Sequence, residues 1–177
     1  TDRLPALSRS VRVYGPLCSG KTVCARRLVA QDIGAGRHVT VIRSGETSFG
    51  KAEYTFDDIA AAHLTVIDAE SLSTAAARRA LAARFDRQGD RKSSASRADE
   101  TIVIDTGAAL QMDQVRDLVA LLADAASDPD NRTRLVVLVS GPDDLSDLPG
   151  LFDTEIVLPG KLGWRGQETV ENALQRL

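Results

Sequence analysis

The chain has few of the residues that hold a fold together covalently or through a metal. Cys18 and Cys24 are its only cysteines, six positions apart, with no further Cys or His at ligand spacing. This argues against a disulfide framework and a structural zinc site, and for reduced thiols in a cytoplasmic setting. An excess of basic charge is lacking as well. The formal net charge is −3, against the domain-wide basic footprint of a nucleic-acid binder, although acidic helices can mask a local stripe. No apolar run approaches the roughly 20 residues of a membrane span. Methionine is nearly absent too: the first residue is Thr1 and the single methionine is Met112. The expectation is a domain cut from a longer multi-domain chain, with residues 1–10 as a linker. Basic charge comes from arginine more than from lysine, which beside the abundant alanine suggests a GC-rich coding sequence. What is present, 177 residues of which 43% are hydrophobic, suffices for one core and one domain over residues 11–177.

The most informative stretch is Gly15-Pro16-Leu17-Cys18-Ser19-Gly20-Lys21-Thr22, which fits the phosphate-loop pattern G-x-x-x-x-G-K-[ST]. Its context fits too. Val11 to Tyr14 reads as a short buried strand leading in, and Val23 to Ile33 as an amphipathic helix leading out. A loop between strand end and helix start turns backbone N–H groups inward, where the helix N-terminus adds partial positive charge. Lys21 is expected to reach the β- and γ-phosphates of a nucleotide, and the Thr22 hydroxyl to sit on Mg²⁺. The bland alternative is a chance glycine turn ahead of a helix.

Beyond the loop, strands and helices alternate. His38–Ile42 and Leu64–Asp68 read as strands, and Thr74–Gln88 as a helix capped by Ser73 or Thr74. That helix has an apolar stripe of Ala77, Leu81, Ala82 and Phe85, and an outer face with Arg78, Arg79, Arg84 and Arg87. Solvated arginines are the ordinary reading of that face; a finger for a neighbouring subunit is the functional one. Thr101–Asp105 is a strand, and Met112–Ala126 a helix with Val115, Leu118, Val119 and Leu122 inward. Arg134–Val139 reads as a central parallel strand. Thr154–Leu158 is a last strand, and Gln167–Leu177 a closing helix. The pattern predicts the α/β class, a mostly parallel sheet flanked by helices.

A nucleoside triphosphatase of this build also needs a carboxylate near Mg²⁺ and a group that orients the attacking water. Asp105 and Asp68 both end strands. Asp105 is the stronger candidate, and Asp68 can instead cap the next helix. The position after Asp105 often carries glutamate in such ATPases, but here it is Thr106. A hydroxyl orients water but accepts its proton poorly, so ATP binding is better supported than hydrolysis. Glu46, Glu53, Glu70 and Glu100 remain, with no spacing that puts any of them at the γ-phosphate. Ser140, after the Arg134–Val139 strand, is a candidate γ-phosphate sensor or a simple turn residue. Trp164, within Pro159–Arg165, is either near the base or an anchor for the last helix. No guanine-reading Asn-Lys-x-Asp occurs, which leaves ATP with Mg²⁺ as the expected ligand.

In order of features, from the phosphate loop through His63–Glu70, Ala75–Arg87 and Asp105 to Leu135–Val139, the chain resembles the RecA-like P-loop motor domains of the FtsK/SpoIIIE group within the FtsK/HerA superfamily. Thr106 and the Val139-Ser140-Gly141-Pro142 turn are most similar to degenerate ATPase modules of type VII secretion motors (EccC/EssC). The resemblance implies a secretion or translocation module with attenuated hydrolysis, working beside other ATPase modules or subunits in a ring or tandem chain, with a protein substrate. It places the domain at the inner face of a membrane only through a partner or a missing segment. The alternatives are a DNA-translocating or conjugative motor of the same superfamily, a small P-loop kinase with Arg84–Arg97 as lid, and a nucleotide-gated interaction module.

Overall fold

The computed structural model describes residues 10–16, 19–44, 62–86, 99–127, 133–141, 144–146, 148 and 150–158. The expected linker before Ser10, Leu17 and Cys18, Arg87 and most of the proposed lid, Pro142, the Pro159–Arg165 segment and the closing helix lie outside them. The elements are β1 (Ser10–Tyr14), α1 (Lys21–Gly34), β2 (His38–Arg43), β3 (Leu64–Asp68), a single 3-10 turn (Ala69–Leu72), α2 (Ala75–Asp86), β4 (Glu100–Asp105), α3 (Met112–Ser127), β5 (Thr133–Val139) and β6 (Thr154–Val157). The six strands form one sheet in the order β3-β2-β4-β5-β1-β6. Every pairing among them is parallel.

Period-two alternation sorts the strand side chains between two cores. Ile42, Ile102, Ile104, Leu135, Val137 and Val139 point to one face, where Leu81, Phe85, Leu118 and Leu122 of α2 and α3 cover them. Val11, Val13, Val39, Val41, Val103, Val136 and Leu138 point to the other, under Cys24, Ala25, Leu28 and Val29 of α1. β5 is buried along its whole length, which explains its near-continuous apolar sequence. Full burial of a side chain such as Leu118 or Leu122 contributes about 1.5–3 kcal/mol relative to leaving it exposed.

The start of α2 settles one alternative and corrects another. The Ala77 N–H donates to Thr74 Oγ1 at 3.2 Å, so Thr74, not Ser73, holds the free end of the helix. Arg78, expected on the outer face, is buried. Its Nη1 donates to the carbonyls of Leu72 and Ser73, both at 2.9 Å, and its Nε to Asp117 Oδ2 of α3 at 2.6 Å. Arg78, Leu81, Ala82 and Phe85 are spaced i, i+3, i+4 and i+7, so helix geometry put this arginine on the inner stripe despite its charge. Arg79 and Arg84 are exposed, as expected.

Under the sheet's N-terminal edge lies a second buried charge cluster. Asp32, wholly buried near the end of α1, accepts from Thr101 Oγ1 of β4 at 2.6 Å and from Arg134 Nη1 of β5 at 3.2 Å. Arg37 donates to the same Thr101 hydroxyl at 3.0 Å and to the Glu100 carbonyl at 2.9 Å. Burial pushes the Arg134 guanidinium below the usual arginine range, and Asp32 opposes that shift. Removing Asp32 leaves a buried arginine without its counter-charge, which costs about 3–5 kcal/mol. Asp32→Ala is expected to lower urea-unfolding stability by that amount, with Asp32→Asn falling between it and the wild type.

Candidate functional site

Because all strands run the same way, their C-terminal ends line one edge of the sheet, where α/β domains collect their ligands. Tyr14, Arg43, Asp68, Asp105, Val139 and Val157 end there. The loop after β1 makes a close turn. A Cβ on Gly15 meets the Leu158 carbonyl oxygen at 2.5 Å and Ser19 Oγ at 2.6 Å, so no larger residue fits. Gly20, at φ 93°, takes the left-handed conformation that opens α1. The first turn of α1 carries no acidic side chain to neutralise its exposed N–H groups.

Lys21 Nζ folds back over this turn and donates to the carbonyls of Gly15 at 2.6 Å and Pro16 at 2.9 Å. The Ser19 hydroxyl is buried and has no hydrogen-bond partner. One residue past Lys21, the Thr22 hydroxyl donates to Asp105 Oδ2 at 3.0 Å. The two come from different elements, since β5 lies between β1 and the Asp105-bearing β4. Asp68 ends the edge strand β3, with β2 between it and β4, so it stands roughly 10 Å from Asp105 at about 4.8 Å per strand. Of the two strand-ending aspartates, the fold brings Asp105 to the loop and leaves Asp68 apart.

Thr106 is buried, and its carbonyl accepts from the Ala109 N–H at 3.0 Å. The exposed Ser140 follows β5, and its N–H donates to Asp144 Oδ2 at 3.2 Å beside that of Gly141 at 2.7 Å. Its backbone thus belongs to a turn. Arg12 of β1 holds that turn by donating to the Asp144 carbonyl at 3.0 Å, while it pairs with Glu155 of β6 and lies over the Tyr14 ring at 5.4 Å. Arg12 and Asp144 carried no sequence signal, because one sits within a buried strand and the other in a polar turn.

A polyphosphate with Mg²⁺ suits these residues. The Ser19 hydroxyl is an orphaned polar group beside the tight Gly15 turn, and Lys21, Thr22 and Asp105 supply an ammonium, a hydroxyl and a carboxylate. No protein-family model and no curated protein matches the chain. Among solved structures, the cytoplasmic domain of the Thermomonospora curvata type VII secretion ATPase EccC is similar with a TM-score of 0.51 and 16% identity, over 87% of this chain and 20% of that one. ATPases 2 and 3 of Thermomonospora curvata EccC, in complex with a signal sequence peptide, give a TM-score of 0.49 and 16% identity over 82% and 27% of the two chains. A DnaB-like replicative helicase, described with its interactions with primase, gives 0.43 and 13% over 85% and 46%. The chain thus spans less than half of each of these three proteins. The fold is that of a RecA-like P-loop ATPase. No helix among the described residues is long and apolar enough to cross a membrane.

The P-loop environment allows two tests. Gly15→Ala is expected to destabilise the domain by about 1–3 kcal/mol through overpacking, read as a lowered Tm. Behind the loop, burial pushes the Cys24 thiol up to about 11 from 9.0, only partly offset by Arg27. The unfolded thiol ionises first. Stability is therefore unaffected below pH 9.0 and declines as pH rises toward about 11, a decline absent from Cys24→Ala in urea titrations across that range.

Proposed function

We propose that this domain binds ATP with Mg²⁺ on the loop Gly15–Thr22, hydrolyses it slowly, and serves as one module of a larger secretion or translocation ATPase. The observation that carries the binding reading is the hydrogen bond between Thr22 and Asp105. It joins the loop hydroxyl to the carboxylate of a separate strand, the two groups that a P-loop site uses to hold Mg²⁺ beside the phosphates. The bound ion supplies charge neutralisation on the β- and γ-phosphate oxygens. Loop N–H groups, with that of Gly20 among them, cradle the phosphates, and Lys21 exchanges the Gly15 and Pro16 carbonyls for phosphate oxygens. Ser140 contacts the γ-phosphate from the end of β5, the strand between β1 and β4.

Slow turnover follows from Thr106, whose hydroxyl cannot take a proton from water with useful driving force. The module reading is supported by the similarity of fold to EccC, a type VII secretion ATPase. On this reading the partners are other ATPase modules or subunits, the transported polymer is a protein, and the domain reaches the inner face of a membrane through the rest of the assembly. Calorimetric titration with Mg·ATP, paired with a phosphate-release assay, tests it. Wild type is expected to bind, Lys21→Ala to lose at least tenfold in affinity, and Thr106→Glu to raise turnover at least tenfold. Unaltered affinity in Lys21→Ala overturns the assignment of the loop.

A further inference from the structure

Thr106 leaves the attacking water without a strong base, yet a carboxylate stands beside the same turn. At the sheet's C-terminal edge, register aligns Asp68 of β3, Arg43 of β2 and Asp105 of β4 across the three strands. Ser44 extends β2 by one residue, and its N–H donates to the Asp105 carbonyl at 3.3 Å. Its buried Cβ faces the turn after Asp105, 3.8 Å from where a Cβ on Gly107 would stand. Beyond β3 the 3-10 turn Ala69–Leu72 bends the chain back, and Ser44 Oγ donates to Glu70 Oε1 at 3.2 Å. The Glu70 carboxylate is therefore two hydrogen bonds, through Ser44, from the backbone of the Asp105–Gly107 turn. It is also exposed at the edge where the loop lies.

We infer that Glu70, oriented by Ser44, is the base for the slow hydrolysis of ATP at this site, in the place that Thr106 cannot fill. The inference rests on the ATP-binding reading above. In the step, the water oxygen bonds to the γ-phosphorus as the bridging bond to the β-phosphate breaks. The water proton passes to the Glu70 carboxylate and on to solvent, giving ADP and inorganic phosphate. Ser44 is a positioning residue, since it acts through Glu70.

The test measures Mg·ATP affinity by calorimetry, turnover by phosphate release, and affinity for Mg·ADP with and without aluminium fluoride, which mimics the phosphoryl group in flight. Glu70→Gln is expected to leave ATP and ADP affinities within about twofold, to lower turnover about a hundredfold, and to lose the added affinity conferred by fluoride. Glu70→Asp is expected to retain part of the turnover, Ser44→Ala to lose less than Glu70→Gln, and Thr106→Glu to restore turnover in the Glu70→Gln background. Wild-type turnover in Glu70→Gln, or ATP binding without any wild-type turnover, overturns the role of Glu70 and leaves the nucleotide site standing. Absence of ATP binding overturns the nucleotide reading itself, and the role of Glu70 with it.

Discussion

Helix α1 is bound to strand β4 at both of its ends, and the rest of the functional edge depends on that. Thr22 in its first turn bonds to Asp105 at the strand's last residue, and Asp32 near its last turn bonds to Thr101 near the strand's start. The lengths agree. Ten helical residues at about 1.5 Å each span roughly 15 Å, and four strand residues at about 3.3 Å each span roughly 13 Å. A helix that leaves the sheet from β1 thus crosses β5 and lies back along β4, its valine and leucine side chains filling the groove between the attachments. The phosphate loop is held between the end of β1 and this fixed helix.

The two attachments differ in what they can do. At the N-terminal edge Asp32, Thr101, Arg37 and Arg134 are buried or half-buried and committed to one another. Their charges are too costly to separate, so that end is rigid. At the opposite edge Thr22 and Asp105 are half-buried, and Lys21 bonds to the Gly15 and Pro16 carbonyls. One end of the helix anchors and the other is open to ligand chemistry. The sheet gives the open end its polar residues, because parallel strands release all their C-termini along one line.

Several details of the edge were legible in the sequence because they are local. The turn between β1 and α1 depends on glycines at set positions: Gly15 has no space for a Cβ and Gly20 has a positive φ. Strand positions followed from β-branched runs, since a strand buried on both faces must be apolar along its length. Arg78 was misread because its charge was weighed above its place in an i, i+3, i+4, i+7 series, while its fixed partner Asp117 lies 39 positions away. The Ser44–Glu70 pair spans 26 positions and two strands, so no spacing rule joins it. Nor does any pattern in β1 announce that Arg12 holds the Asp144 turn from 132 positions away.

By itself the sequence determined the elements, their α/β alternation and the glycine turn between β1 and α1, because periodicity and glycine geometry act over a few neighbouring residues. Tertiary structure decided which strand lies beside which, and through that order which aspartate meets Thr22. The strand that separates β1 from β4 is β5, which comes after both in the chain, so the pairing of Thr22 with Asp105 and the isolation of Asp68 exist only once the sheet has closed. Side chains that meet across strands are brought together by register, and register is a property of the packed sheet as a whole.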